Sequence, residues 1–272
     1  MTGLTVLTVN VLSPEHAGWD RRRPLLRDGI ADLRPHLVAL QEVVDPADLL
    51  GPEYQVVAHS RRSPDGVGAV LASRWPVTAA YEVDLHVTDR VDLPWSAAVV
   101  AEIEAPPPVG PLLFVHHKPT YEWGYEHERE LQAVQCATFV EDALAGRDMH
   151  VVLAGDFDAP PGAASIRFWT GRQSLHGVSV CYQDAWAAVH GDAPGYTFGP
   201  RNPLVTAGEM SLETGRRIDY VMVRCGVHGP TLAAADCRRV FDEPVGGVWP
   251  SDHAGVLAEL RVPDHPPGGW QP

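Results

Sequence analysis

The 272-residue chain carries a net charge of −14, with 45% hydrophobic and 21% charged side chains, ordinary proportions for a folded water-soluble protein. No apolar run approaches the ~18 residues that a membrane helix needs. Lys118 is the sole lysine and Arg21-Arg22-Arg23 the one dense basic run. This balance argues against a non-specific grip on long nucleic acid, which draws most of its affinity from basic patches.

In chain order, Leu4 to Asn10 reads as a strand with β-branched residues and a polar stop. Arg21 to Arg34 has helical spacing, with Leu25, Leu26, Ile30 and Leu33 on one side, Pro24 in its first turn and Pro35 ending it. The three arginines at its start are expected on a solvated face. Leu37 to Val43 is a short strand ending in Gln41-Glu42-Val43, and Tyr54 to Ala58, Gly66 to Ala72 and Ala97 to Ile103 read as further strands. Pro106-Pro107-Pro108 marks a turn before the strand Leu112 to His117. Tyr125 to Leu144 is the longest helix expected. The strand Val151 to Ala154, the loop Gly155-Asp156-Phe157-Asp158 and a short helix over Ala163 to Trp169 follow. Tyr182 to Val189 is expected to be helical, and Ile218 to Val223 and Ala254 to Leu260 close the chain as strands.

Strands joined by short turns outnumber helices, which favours mixed or antiparallel sheets. The expected fold is α/β: two packed mixed β-sheets flanked by helices, with one domain over residues 1–262 and a loose tail over 263–272. Cys136, Cys181, Cys225 and Cys237 lack a C-x-x-C pair and are expected as buried free thiols. Met1-Thr2-Gly3 shows neither a basic stretch nor a cleavage-like site, so a cytoplasmic protein without a membrane segment is expected. No obligate protein partner is evident.

Polar residues recur where the apolar runs end: Asn10, Glu42, His117, Asp156 with Asp158, Asp219, and Asp252 with His253. Strand ends on one side of a sheet converge, so these groups can share a cleft. Hard oxygen donors suit Mg²⁺ or Mn²⁺, and histidines beside such an ion suit proton transfer better than ligation. Each group alone has a bland reading, as a turn residue, a solvated carboxylate or a structural ion pair.

Taken together, Asn10, Gln41-Glu42-Val43, His116-His117, Gly155-Asp156-Phe157-Asp158, Arg217-Ile218-Asp219-Tyr220 and Ser251-Asp252-His253 resemble the endonuclease/exonuclease/phosphatase superfamily, in the family's order, across residues 4 to about 260. The resemblance implies a four-layered α/β sandwich and metal-dependent hydrolysis of a phosphoester. It implies Glu42 as the principal metal ligand, with Asn10 and Asp252 as neighbouring metal or ligand-orienting groups. It implies Asp156 as the residue that positions the attacking water, and Asp219 as the partner that orients His253 for action on the phosphate or the water. His116 and His117 point in opposite directions along a strand. Motif alignment selects His117 to face the phosphoryl or leaving-group oxygen.

One departure stands out: Asp158 occupies a place where the family usually has Asn. An ionised Asp cannot donate to a phosphoryl oxygen. A second metal ion at Asp158 is the favoured remedy, and a protonated Asp158 the other. Tyr121, Trp123 and Tyr125 could form an aromatic platform for substrate, with Arg129 and Gln132 supporting the site from behind. The acidity favours a small phosphorylated molecule or a short oligonucleotide over long DNA. The alternatives are a sequence-nonspecific nuclease and a catalytically inactive binding protein on the same fold. A carboxylate-pair glycosidase would need neither the histidines nor the asparagine.

Overall fold

The computed structural model describes residues 3–16, 18–265 and 268. Most of the tail expected over 263–272, and the first two residues, lie outside them. The first half of the chain supplies β1 (Gly3–Asn10), α1 (Trp19–Leu33), β2 (Leu37–Val43), β3 (Gln55–Ala58), β4 (Gly68–Ser73), β5 (Val77–Asp84), β6 (Ala97–Ile103) and β7 (Leu112–Lys118). The second half supplies α2 (Glu126–Leu144), β8 (His150–Asp156), α3 (Ala164–Trp169), β9 (Tyr182–Asp184), α4 (Ala185–His190), α5 (Pro203–Ala207), β10 (Asp219–Gly226), β11 (Gly229–Pro230), β12 (Ala233–Val240) and β13 (Gly255–Arg261).

Side-chain alternation assembles these elements into layers. In β1, Leu4 and Val6 face the inter-sheet core, while Leu7 and Val9 join Leu26 and Ile30 of α1 on the other side. In β7, Leu112 and Phe114 face the inter-sheet core, and Leu113 and Val115 pack under α2. Strands buried on both faces read as continuous apolar runs, which is why β1, β2, β7 and β8 stand out in the sequence.

One sheet has the order β12-β13-β1-β2-β4-β3. The other runs β11-β10-β8-β7-β6-β5, with β9 also paired to β10. The pairs β1/β2 and β7/β8 are parallel and the other pairs antiparallel. Residues of both sheets meet in one core that includes Val6, Ala39, Val99, Phe114, Val152 and Val256. With α1 outside one sheet and α2 and α3 outside the other, the molecule is a four-layered α/β sandwich.

Three elements differ from expectation. Residues 182–189 divide into β9 and α4, because Asp184 caps the helix by accepting from the amides of Trp186 and Ala187. β5 and β12 escape a hydrophobicity reading because β5 is largely solvent-facing, as at Tyr81-Glu82, and β12 is mostly half-buried, with only Cys237 fully buried. Cys136 and Cys237 are buried, whereas Cys181 is exposed and Cys225 intermediate. Among the described residues, no helix is long and apolar enough to cross a membrane.

Candidate active site

Four strands carry the site simply by continuing their inward phase past the last apolar side chain. Val152 and Ala154 of β8 face the inter-sheet core, and Asp156 is next on that face. Val221 and Val223 of β10 do the same, and Asp219 precedes them on the antiparallel neighbour, directly paired with Asp156. Asn10 extends Leu4 and Val6 in β1, and Lys118 extends Leu112 and Phe114 in β7. Gly155 is required beside Asp156: at φ 154° a Cβ there would lie 2.1 Å from the His117 carbonyl oxygen.

Glu42 breaks this rule. Regular alternation would send it toward α1, but the pairing of β2 with β4 shifts register between Leu40 and Val43, and Glu42 is left-handed at φ 62°. A bulge of this kind re-aims a side chain. The carboxylate accepts from Asn10 Nδ2 at 2.9 Å and from the Ser13 amide at 2.9 Å. Asn10 Nδ2 also reaches Asp156 Oδ2 at 3.3 Å, so one amide links the two carboxylates. Leu12 and Asp158, at φ 55° and 53°, share the left-handed conformation and line the same cleft. Such residues in non-glycine positions cost of order 1–3 kcal/mol each and cluster at functional sites.

Arg22 corrects the expectation of a solvated arginine face. It is buried and donates to the carbonyls of Val11, Leu12, Ser13 and Pro250 at 2.8–3.3 Å, fixing the loops that carry Glu42's partners and Asp252. The loop before β13 is held by Ser251 Oγ, which donates to the Asn10 carbonyl at 2.7 Å, and by Asn202 Nδ2, which donates to the Ser251 carbonyl at 2.7 Å.

His253 Nδ1 lies 3.0 Å from Asp219 Oδ2. Burial works against charge on this ring, but Asp219, with Asp156 and Asp252 behind it, outweighs burial and raises the pKa to about 10. The ring packs on Phe198 with centroids 4.7 Å apart. Asp219 Oδ1 is buried without a hydrogen-bond partner. Asp252 is raised by burial and by the nearby Glu42 carboxylate, against the pull of His253.

Lys118, which the sequence reading passed over, lies at the centre of the cleft. Its ammonium donates to Asp156 Oδ2 at 2.8 Å and to Asp158 Oδ2. Burial is overcome by these two carboxylates, and the lysine is held charged with its pKa raised. Asp156 is lowered, because Lys118 outweighs its burial, while Asp158 is pushed up to about 7 by burial and by Asp156. Lys118 thus puts a positive charge beside Asp158, where the sequence reading favoured a second metal ion. A lone lysine, two residues beyond His116 on the inward phase of an apolar strand, was the available signal.

His117 requires a second correction. It lies on the outward phase of β7, packed on Phe157 and Trp169 at centroid distances of 5.0 and 5.6 Å, away from the cleft. Burial and Lys118 lower its pKa to about 3. His116 has the inward phase but sits below the cleft, where its Nε2 is 2.7 Å from Gln41 Nε2 and its ring meets that of His59.

The aromatic platform does not form as one surface. Tyr121 lines the cleft. Trp123 is 64% exposed and carries the Arg216 guanidinium 4.4 Å from its ring centroid. Tyr125 stacks with Arg90 at 4.0 Å. Arg129 does not reach the cleft; it donates to the Thr120 and Glu122 carbonyls at 3.3 and 2.8 Å and pairs with Glu126 at 2.9 Å. Gln132 accepts from the Thr120 amide at 3.1 Å, so both tether the segment after β7.

Two sets of side chains could hold a divalent cation. Glu42, Asp252 and Asn10 border the cleft and offer hard ligands, and the mutual repulsion that raises Asp252 is what a cation between the carboxylates would relieve. Asp156, Asp219 and His253 bring ligand atoms within 4.8 Å of one another, with Asp219 Oδ2 shared with His253 Nδ1 and Asp156 Oδ2 with Lys118.

The two sheets thus bring carboxylates, a lysine and a His–Asp pair to one cleft. The chain belongs to the endonuclease/exonuclease/phosphatase family, whose members are phosphoester hydrolases: the family's sequence profile matches residues 7–253. No curated protein matches the chain. Among solved structures it is similar to TDP2 of D. rerio complexed with single strand DNA product, at 17% identity and TM-score 0.76, covering 96% of this chain and 100% of that one. The human Nocturnin catalytic domain with bound sulfate anion matches at 18% identity and TM-score 0.74, covering 96% and 95%. An endonuclease/exonuclease/phosphatase from Bacteroides vulgatus matches at 20% and 0.71, covering 97% and 100%. At these identities the likeness concerns the fold.

Proposed function

We propose that the protein is a divalent-metal-dependent phosphoester hydrolase that uses water as nucleophile, with Mg²⁺ or Mn²⁺ held by Glu42 and Asp252 and oriented by Asn10. The observation that carries this reading is the His253–Asp219 pair facing Asp156 across the same cleft that Glu42 and Asp252 border. When bound, the ion would supply Lewis acidity and neutralise phosphoryl charge. Asp156, kept ionised by Lys118, accepts a hydrogen bond from the attacking water and aligns it. His253, charged and held by Asp219, donates from its other ring nitrogen to a phosphoryl oxygen. Lys118 lowers the electrostatic cost of bringing an anion beside Asp156 and Asp158.

The net charge of −14 and the absence of any lysine besides Lys118 support a small phosphorylated molecule or a short oligonucleotide as substrate. The single-strand DNA product named for the D. rerio neighbour keeps a nuclease as the second reading. The same proposal takes residues 1–262 as one domain, supported by the core shared between the sheets, and places the protein in the cytoplasm, where its four free cysteines would stay reduced.

The test is hydrolysis of bis-p-nitrophenyl phosphate by the purified protein with Mg²⁺, with Mn²⁺ and with EDTA. Turnover that requires the metal and stops with chelation is expected. A folded, metal-supplied protein silent on this diester and on p-nitrophenyl phosphate would overturn the reading.

A further inference from the structure

The cleft extends past the carboxylates into a chamber, and the whole encloses about 290 Å³. One side of the chamber is Leu93, Trp95 and Tyr121, from the segments before β6 and after β7. The other is Phe198, Val205 and Met210, from the loop and short helix that lead to β10. These walls come from opposite halves of the chain and meet only because the strand ends converge. Trp95 and Val205 are buried, Leu93 and Met210 half-buried. Trp95 with Leu93, and Phe198 and Val205 with Met210, belong to two separate apolar clusters, and Phe198 packs on the His253 ring. An apolar chamber with a few convergent polar groups at one end is the usual form of a small-molecule site.

The charge at the polar end limits what can be seated there. Glu42, Asp156, Asp158, Glu209 and Asp252 all line the cleft. Against these five carboxylates stand three cations: Lys118, paired with Asp156 and Asp158; Arg216, paired with Glu213 at 2.7 Å; and His253, whose Nδ1 is held by Asp219 at 3.0 Å. A phosphate with two negative charges would meet more repulsion here than one with a single charge. The apolar walls, in turn, reject a polar ester group, because its hydroxyls would be buried without partners.

Building on the phosphoester-hydrolase reading, we propose that the substrate is a phosphodiester monoanion carrying one compact apolar ester group, the size of a single ring, which seats between Leu93, Trp95 and Tyr121 on one side and Phe198, Val205 and Met210 on the other. In its hydrolysis the water oxygen forms a new bond to phosphorus and one ester P–O bond breaks. The electron pair leaves with the ester oxygen, which takes up a proton, and the products are a phosphomonoester and an alcohol.

The experiment compares three compounds by ³¹P NMR with the metal-supplied protein: benzyl methyl phosphate, 2,3-dihydroxypropyl methyl phosphate and benzyl phosphate. The two diesters have similar alkoxide leaving groups, so their ratio reports the chamber. Benzyl methyl phosphate is expected to be hydrolysed with a kcat/KM at least about tenfold above the dihydroxypropyl diester and above the monoester. Met210→Gln and, separately, Leu93→Asn should lower that preference severalfold, the first at nearly constant side-chain length. Methyl benzylphosphonate, whose benzyl group is joined by a P–C bond that hydrolysis cannot break, should quench tryptophan fluorescence saturably in the presence of Ca²⁺ in place of the catalytic metal, less tightly in both variants. If bis-p-nitrophenyl phosphate is turned over but the dihydroxypropyl diester or the monoester is preferred, the chamber proposal is wrong and the hydrolase reading stands. If both variants fold and keep the wild-type preference, the chamber does not seat the ester group. Silence on every phosphoester together with no quenching overturns both.

Discussion

Lys118 Nζ stands 2.8 Å from Asp156 Oδ2 across the parallel strand pair β7/β8, and the same ammonium donates to Asp158, on the turn two residues beyond Asp156. All three side chains are buried. Removing one partner of a buried ion pair leaves an uncompensated charge, a loss of about 3–5 kcal/mol. Lys118→Met is therefore expected to lower the unfolding free energy by that order and to abolish turnover. Lys118→Met combined with Asp158→Asn should recover part of the stability, because one orphaned carboxylate is gone. Urea unfolding of the wild type and the two variants measures this, and equal destabilisation of the single and double variants would show that Asp158 and Lys118 do not compensate each other.

Glu42 is held by Asn10 and the Ser13 amide and is only half-buried, so its loss should spare the fold. Glu42→Ala is expected to cut turnover by at least ~100-fold, beyond the 10–100-fold typical of residues that only support a metal ligand. Stability should shift by no more than ~1 kcal/mol. Mn²⁺ titration followed by electron paramagnetic resonance gives a second readout. A folded variant that binds Mn²⁺ like the wild type would remove Glu42 from the metal site.

His253 and Asp219 should behave as one unit. With Nδ1 fixed by Asp219, the ring is both oriented and charged. His253→Ala and Asp219→Asn are each expected to be severe, and the double variant little worse than His253→Ala alone. Rates that multiply across the cycle would mean that Asp219 acts independently of the ring.

Acid stability should follow the buried imidazoles below the site. His59 is lowered to about 4, by burial above all, and His117 to about 3, again by burial first. Because each folded pKa lies below the unfolded value near 6.5, the unfolded chain binds the proton first. Stability is full above about pH 6.5 and falls as pH drops toward 4. For His59 a 2.5-unit difference corresponds to roughly 3 kcal/mol. His59→Gln should flatten the pH dependence of the unfolding free energy by about one proton between pH 6.5 and 4. An unchanged slope would mean that His59 is not held neutral.

The layers were legible because strands covered on both faces print long apolar runs, as in Leu4–Val9 and Leu112–Val115. Edge strands leave no such print: β5 exposes most of its side chains and β12 fully buries only Cys237, and a polar surface of this kind resembles a loop. At the site, phase decided what could be read. Asn10, Asp156 and Asp219 fall where alternation puts them. His117 was chosen by motif against a neighbour of opposite phase, and carrying the count two residues further would have reached Lys118. Glu42 could not be placed by counting, since a register shift re-aims it. Nor could the chamber walls, because Leu93 and Met210 are more than a hundred positions apart in the chain.

Three of the seven non-glycine residues with left-handed backbone among the described residues, Leu12, Glu42 and Asp158, border the cleft, each in a conformation that glycine or asparagine would adopt more easily. A lineage selected for heat resistance alone would find its readiest gains there, at Leu12 before all, the residue of the three with no polar side chain to anchor the turn. Sequences from hot environments that keep a bulky residue at this position would thus report that catalysis, and not endurance, governs the choice.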